Sequence, residues 1–188
     1  NHISDNEARF NIRLAEALAE ADLFSEAINS LMSVSKSDLF YPEAKLMLAD
    51  LLKESNQEKQ AIKELKNLLN AGVKNFEVYE ALGNVYRYAE RFKLADLAYS
   101  DALAISEKSD LENRKLWLTY FFRGIVREQL REYDQSMIDL RKALELIPEQ
   151  PQVLNYLGYM LIERGQNLEE ALDMIKLAVS KSPQSGYI

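Results

Sequence analysis

Small and apolar positions recur along this chain in constant phase. One series of small residues runs Ala15, Ala49, Gly83, Gly124 and Gly158, at spacings of 34, 34, 41 and 34. A second runs Ala27, Ala61, Ala95, Ser136 and Ala171, at spacings of 34, 34, 41 and 35. Both place the extra residues in the same interval, the signature of an internal repeat. Four residues after the second series come Leu31, Leu65, Tyr99, Leu140 and Ile175, and three further on Val34, Leu68, Ala102, Ala143 and Ala178. Offsets of four and seven describe one face of a helix. The first series is followed, three residues later, by Leu18, Leu52, Tyr86, Arg127 and Leu161. The pattern predicts an all-α chain with two amphipathic helices per repeat, closest together where the small residues sit.

Boundary signals agree with this phase. Ser55-Asn56-Gln57-Glu58 and Ser109-Asp110-Leu111-Glu112 read as capping boxes, and Asn167 followed by Glu170 has the same logic. Pro42 and Pro151 suit a first helical turn. Pro148 and Pro183 stop the helices before them, and Gly72 can take a left-handed end conformation. The repeats phase as 8–41, 42–75, 76–116, 117–150 and 151–185 in a single array over 1–188, and Gly186-Tyr187-Ile188 opens a sixth. The third repeat carries seven extra residues, close to two helical turns. With Ser109 as a cap, they lengthen the first helix of repeat four, predicted from about Asp110 to about Arg131.

The stretch Leu130-Arg131-Glu132-Tyr133-Asp134, then Ser136, then Leu140 through Pro148, resembles the second half of a tetratricopeptide repeat. Tyr79, Leu82-Gly83, Tyr86, Ala95, Tyr99 and Ala102 match the family pattern through both helices. Leu154 through Tyr159, Glu170-Ala171 and Pro183 resemble units of bacterial members. The resemblance implies a right-handed superhelical α-solenoid of five helix-turn-helix repeats, non-catalytic, within a larger bacterial envelope or multiprotein assembly. Arg127 departs from the pattern, which usually has Tyr or an aliphatic residue there, and its stem is free to pack. The family's chaperone-terminus clamp is absent: Asn84 fits one clamp place, but Glu80, Phe122 and Gln152 stand where Lys or Asn is needed.

In a stack of helical hairpins the first helices line the concave side. The phase puts Arg9, Ile12, Glu16 and Glu20 there in repeat one, and Glu43, Leu46, Asp50 and Lys53 in repeat two. Repeat three offers Glu77, Glu80, Asn84, Arg87 and Tyr88. Repeat four offers Leu118, Phe121, Phe122 and Ile125, and repeat five Asn155, Tyr156, Tyr159 and Ile162. Leu116 through Phe122 is apolar around most of its helix, so Tyr120 should face the core and Phe121, with Phe122, the groove. Burying each such ring is worth about 1.5–3 kcal/mol, enough for several to anchor a peptide or helix. The alternative is that Phe122 and Tyr156 seal the joint between repeats four and five.

Composition narrows the function. The 188 residues are 47% hydrophobic and 28% charged, the make-up of a globular chain. A formal charge of −7 opposes binding to a phosphate backbone, so nucleic acid is not an expected partner. There is no Cys, hence no disulfide and no thiolate-bound metal, and no apolar run approaches a membrane span. His2 is the only histidine and reads as an expression remnant. No Cys–His pair, metal cluster or Gly-rich phosphate loop appears, so no catalytic residue, cofactor or metal is expected. Charge runs such as Lys63-Glu64 through Lys66 read as solvated helix faces. The opening at Asn1 rather than Met reads as an excerpt or a processed product, and the compartment, cytoplasm or periplasm, stays open. Two roles remain. One is an adaptor that holds a protein or peptide partner on Asn84, Arg87, Tyr88, Leu118, Phe121, Phe122, Ile125, Asn155, Tyr156, Tyr159 and Ile162. The other is an assembly module that oligomerises or docks through its terminal helices; the face of Leu172, Ile175 and Val179 has no successor here, which reads first as further chain in the native protein and second as a surface that meets another molecule.

Overall fold

A computed structural model describes residues 2–106 and 113–182. Among them the chain forms ten α-helices: α1 (His2–Glu20), α2 (Phe24–Met32), α3 (Tyr41–Glu54), α4 (Glu58–Asn70), α5 (Phe76–Tyr88), α6 (Phe92–Ser106), α7 (Asn113–Gln129), α8 (Tyr133–Leu146), α9 (Pro151–Glu163) and α10 (Leu168–Lys181). They pair as consecutive hairpins. The chain divides into two compact units, Asn1–Ile105 and Ser106–Ile188, which hold α1–α6 and, from Asn113, α7–α10. In the first unit α1 packs on α2 and α3 on α4, with α2 against α3 and α4 against α5; in the second, α7 packs on α8, α8 on α9 and α9 on α10.

The small residues are where hairpin arms meet. Ala27, Ala61, Ala95, Ser136 and Ala171 are all fully buried, as are Ala15 and Ala49. A methyl group added to Gly83 would lie 2.5 Å from ring carbons of Tyr99. One on Gly124 would lie 3.1 Å from Leu140, and one on Gly158 2.8 Å from Ile175. The three glycines therefore have equivalent surroundings, each facing the large residue of the partner helix that the phase assigns to it. Ser136 replaces Ala without leaving an unpaired hydroxyl, because its Oγ donates to the Gly124 carbonyl at 2.7 Å.

The turn within each hairpin has one geometry throughout. The amide of Leu23 donates to the carbonyl of Leu18, Gln57 to Leu52, Arg91 to Tyr86, Glu132 to Arg127 and Gln166 to Leu161, at 2.7–2.9 Å. The residue before each donor has positive φ: Asp22, Asn56, Glu90, Arg131 and Gly165. These are Schellman ends, which bring the chain round by satisfying the last carbonyls of the helix. Their spacing of 34, 34, 41 and 34 copies that of the first small series.

This turn overrides the capping box expected at 55–58. Ser55 closes α3, Asn56 takes the left-handed conformation, and Gln57 precedes α4 without a side-chain cap. At the start of α10, Asn167 makes no backbone cap either, and instead its Nδ2 donates to Glu170 Oε2 at 3.0 Å. A side-chain cap forms at α5, where Asn75 Oδ1 accepts from the Val78 amide at 3.1 Å. Pro42 and Pro151 lie in first turns, Pro148 follows the end of α8, and Gly72 has φ +89°. The box at 109–112, Pro183 and the start of a sixth repeat lie outside the described residues. So does the expected start of α7 near Asp110; from Asn113 that helix still runs 17 residues, against 13 for α9.

Arg127 holds a buried ion cluster. Asp139 of α8 is 1% exposed and receives Nε and Nη2 of Arg123 at 2.8 and 2.7 Å and Nη1 of Arg127 at 2.9 Å. The family-atypical residue thus supplies one of two cations to a carboxylate with no other escape from desolvation.

Candidate inner-face sites

In the first unit the odd-numbered helices carry the side chains that the phase assigns to the inner wall. Arg9, Ile12, Arg13 and Glu16 of α1 meet Phe40 and Glu43 around a hollow of about 220 Å³. Ile12 itself is buried, because its side chain forms the floor rather than the rim. The Arg9 guanidinium lies over the Phe40 ring, 5.4 Å from its centroid. A second hollow, about 370 Å³, opens between α3 and α5. Leu46, Met47 and Val85 give it an apolar floor, while Asp50, Glu77, Glu80 and Asn84 supply the polar rim.

Asn84 and Arg87 are tied to α6, the other arm of their own hairpin. The Tyr99 hydroxyl donates to Asn84 Oδ1 at 2.8 Å, and Arg87 Nε donates to the same hydroxyl at 3.3 Å. Tyr99 is fully enclosed, and burial pushes its phenol well above the ordinary range against the opposing pull of Arg87. Tyr88 is about half exposed, and its hydroxyl donates to Asn56 Oδ1 at 3.1 Å. These three residues are therefore oriented by the array itself before any guest arrives.

The second unit sorts the aromatic patch into two kinds. Phe121 and Tyr156 meet edge to face with centroids 5.9 Å apart. With Trp117 and Tyr120 they pack against the core of Leu140, Leu157, Met160 and Leu161. Phe122 touches Phe121 at 5.7 Å between centroids and is half-buried, as are Leu118 and Ile125. Tyr159 and Ile162 point outward, 49% and 36% exposed. Tyr120 faces the core as the helical phase requires, but Phe121 leans on it too, since an edge-to-face partner lies on α9.

A smaller pocket, about 200 Å³, is lined by Glu128, Asn155, Tyr156, Tyr159, Met160 and Glu163. The Tyr156 hydroxyl donates to Glu128 Oε2 at 2.9 Å. Burial first, then that bond and the charges of Glu128 and Glu163, push the Tyr156 phenol up. Asn155 Oδ1 is enclosed and without a hydrogen-bond partner, an expense in free energy that folding alone does not recover. The pocket thus joins three expected site residues, Asn155, Tyr156 and Tyr159, to two carboxylates outside the expected set. Glu128 and Glu163 are 35 residues apart, one more than the 34 that separate Gly124 from Gly158 on the same two helices, so the repeat phase does not pair them. No group of three or more His, Cys, Asp or Glu is spaced to hold a metal ion among the described residues, and no described helix is long and apolar enough to cross a membrane.

The family model of the tetratricopeptide repeat matches residues 119–150. No curated protein matches the sequence. Solved structures match much further. A crystal structure of MamA shares 21% identity over 90% of this chain and 95% of that one, with a TM-score of 0.74. MamA from Desulfovibrio magneticus RS-1 shares 16% over 95% of this chain and 97% of that one, with a TM-score of 0.76. The Cut9–Hcn1 hetero-tetramer of the APC/C shares 16% over 93% of this chain and 33% of that one, with a TM-score of 0.77. At such identities the likeness is one of fold, an all-α array of tetratricopeptide-type hairpins.

Proposed function

We propose that this chain, a tetratricopeptide-repeat array by fold, is a non-catalytic adaptor that holds a peptide or helix of a protein partner on the faces of its first helices. The observation that carries the reading is the run of hollows along α1, α3 and α5, each rimmed by polar side chains that project from the inner faces. One structural neighbour belongs to a hetero-tetramer, Cut9–Hcn1, in which this fold occurs in an assembly of unlike chains; that supports the same role. In the second unit the outward residues Tyr159 and Ile162 offer apolar surface, while Phe121 and Tyr156 stiffen the wall behind them. The test is affinity capture with wild type and with Tyr159→Ala plus Ile162→Ala, compared by mass spectrometry. Loss of a captured protein at unchanged helical circular dichroism supports the adaptor. Equal capture by both proteins removes these two residues from the site.

A second reading, assembly through the terminal helices, has its own observation. On α10, Leu168, Leu172 and Val179 are about half exposed, and on α1 Phe10 is 64% exposed. Ile28 and Ile62, which occupy the register of Leu172 in repeats one and two, are 8% and 7% exposed because another hairpin covers them. Exposed apolar faces of this kind mark association surfaces. Sedimentation over a hundredfold range of concentration decides the matter: a monomer throughout excludes self-association.

A further inference from the structure

The pocket of the second unit has a chemical bias that the adaptor role does not require. Its lining offers two carboxylates, Glu128 and Glu163, two phenol rings, Tyr156 and Tyr159, and the enclosed Asn155 oxygen. No Lys or Arg is among the lining residues. What the walls present is therefore chiefly acceptors, negative charge and the electron-rich faces of rings. Tyr156 spends its one hydroxyl donor on Glu128, which holds that carboxylate at the wall instead of letting it swing to solvent. Tyr159 and Glu163 are exposed at the mouth, four residues apart on one face of α9. A cation with several N–H donors complements this set; an anion or an aliphatic side chain does not.

From this geometry we infer that the pocket seats a lysine or arginine side chain of the bound partner. The stem lies along the Tyr156 and Tyr159 rings, and the charged head faces Glu128 and Glu163. Size agrees, since a cavity of about 200 Å³ admits one long side chain and excludes a folded element. In the first unit the hollow between α3 and α5 also has a carboxylate rim, Asp50, Glu77 and Glu80, of which Asp50 is paired with Lys53, whereas the hollow between α1 and α3 carries Arg9 and Arg13. The formal charge of −7 favours the approach of a partner that carries basic residues. The inference rests on the adaptor reading and adds the chemistry of the guest.

The experiment selects peptides from a random phage-displayed library on the whole chain and measures their affinity by fluorescence anisotropy. Selected peptides are expected to share a basic residue. Replacing that residue by norleucine or citrulline should weaken binding to wild type by about tenfold. Against Tyr159→Ala plus Glu163→Gln, two exposed positions, the same replacement should cost little. Affinity of the unmodified peptide should fall as salt rises, a readout that needs no variant. Binders without a basic residue, or a replacement that costs wild type and variant equally, overturn the inference and leave the adaptor intact. A library that yields no binder overturns the adaptor and this inference together.

Discussion

At the scale of single residues, packing is set by what each position cannot hold. Gly83→Ala puts a methyl group 2.5 Å from the ring of a fully buried tyrosine, and overpacking of this kind costs about 1–3 kcal/mol. A lowered urea midpoint with an unchanged m-value would register it. Asp139→Asn removes the charge shared by Arg123 and Arg127, whose side chains are 14% and 17% exposed. Breaking a buried cluster in this way costs about 3–5 kcal/mol, so the variant should melt well below wild type. The buried phenols act in the alkaline range. Tyr99 and Tyr156 have raised pKa values when folded, so the unfolded chain gives up these protons first. Stability is then whole below about pH 10 and falls as pH rises beyond it. Tyr99→Phe should flatten that fall, as measured by denaturation at pH 8 and pH 11.

At the scale of elements, the recurring turn explains what could and could not be read from the residues. Two series of small residues disclosed ten helices and their pairing, because a close helix–helix approach leaves little choice of side chain. The turn is chosen by main-chain bonds, and of its five tips Gly165, with Asn56 and Asp22 more weakly, advertises the left-handed conformation, while Glu90 and Arg131 do not. Capping boxes were therefore legible as letters at 55–58 but lost to the backbone geometry. Non-glycine residues at such tips carry about 1 kcal/mol of strain, partly offset in glycine by its entropy. Glu90→Gly should raise the melting temperature by roughly 2 °C, read by calorimetry. The aromatic patch was legible as a patch, yet its division into inward Phe121 and outward Tyr159 was not. That division depends on which rings find partners on the neighbouring hairpin, and helical phase alone says nothing about it. Asp139 was hidden for a similar reason: a carboxylate in a core register has meaning only beside its two arginines.

At the scale of the molecule, a helix packed on both its chain neighbours, as α4 is on α3 and α5 and α8 on α7 and α9, is better protected than one packed on a single neighbour, as α10 is on α9. Amide hydrogen exchange should accordingly be faster in α10 than in α4 and α8, with mass spectrometry resolving the helices. Equal protection in α10 would point to a covering partner in solution. The five turn tips offer a way to follow how the array responds to a guest. Their geometry lives in the main chain, so the side chain at Asp22 or Glu90 can be exchanged at small expense, and the sequence contains no thiol to compete for a dye. Both sites lie in the first unit, two repeats apart. A fluorophore pair there makes a molecular calliper that reports whether occupancy of the inner face winds this stretch of coil tighter or lets it relax.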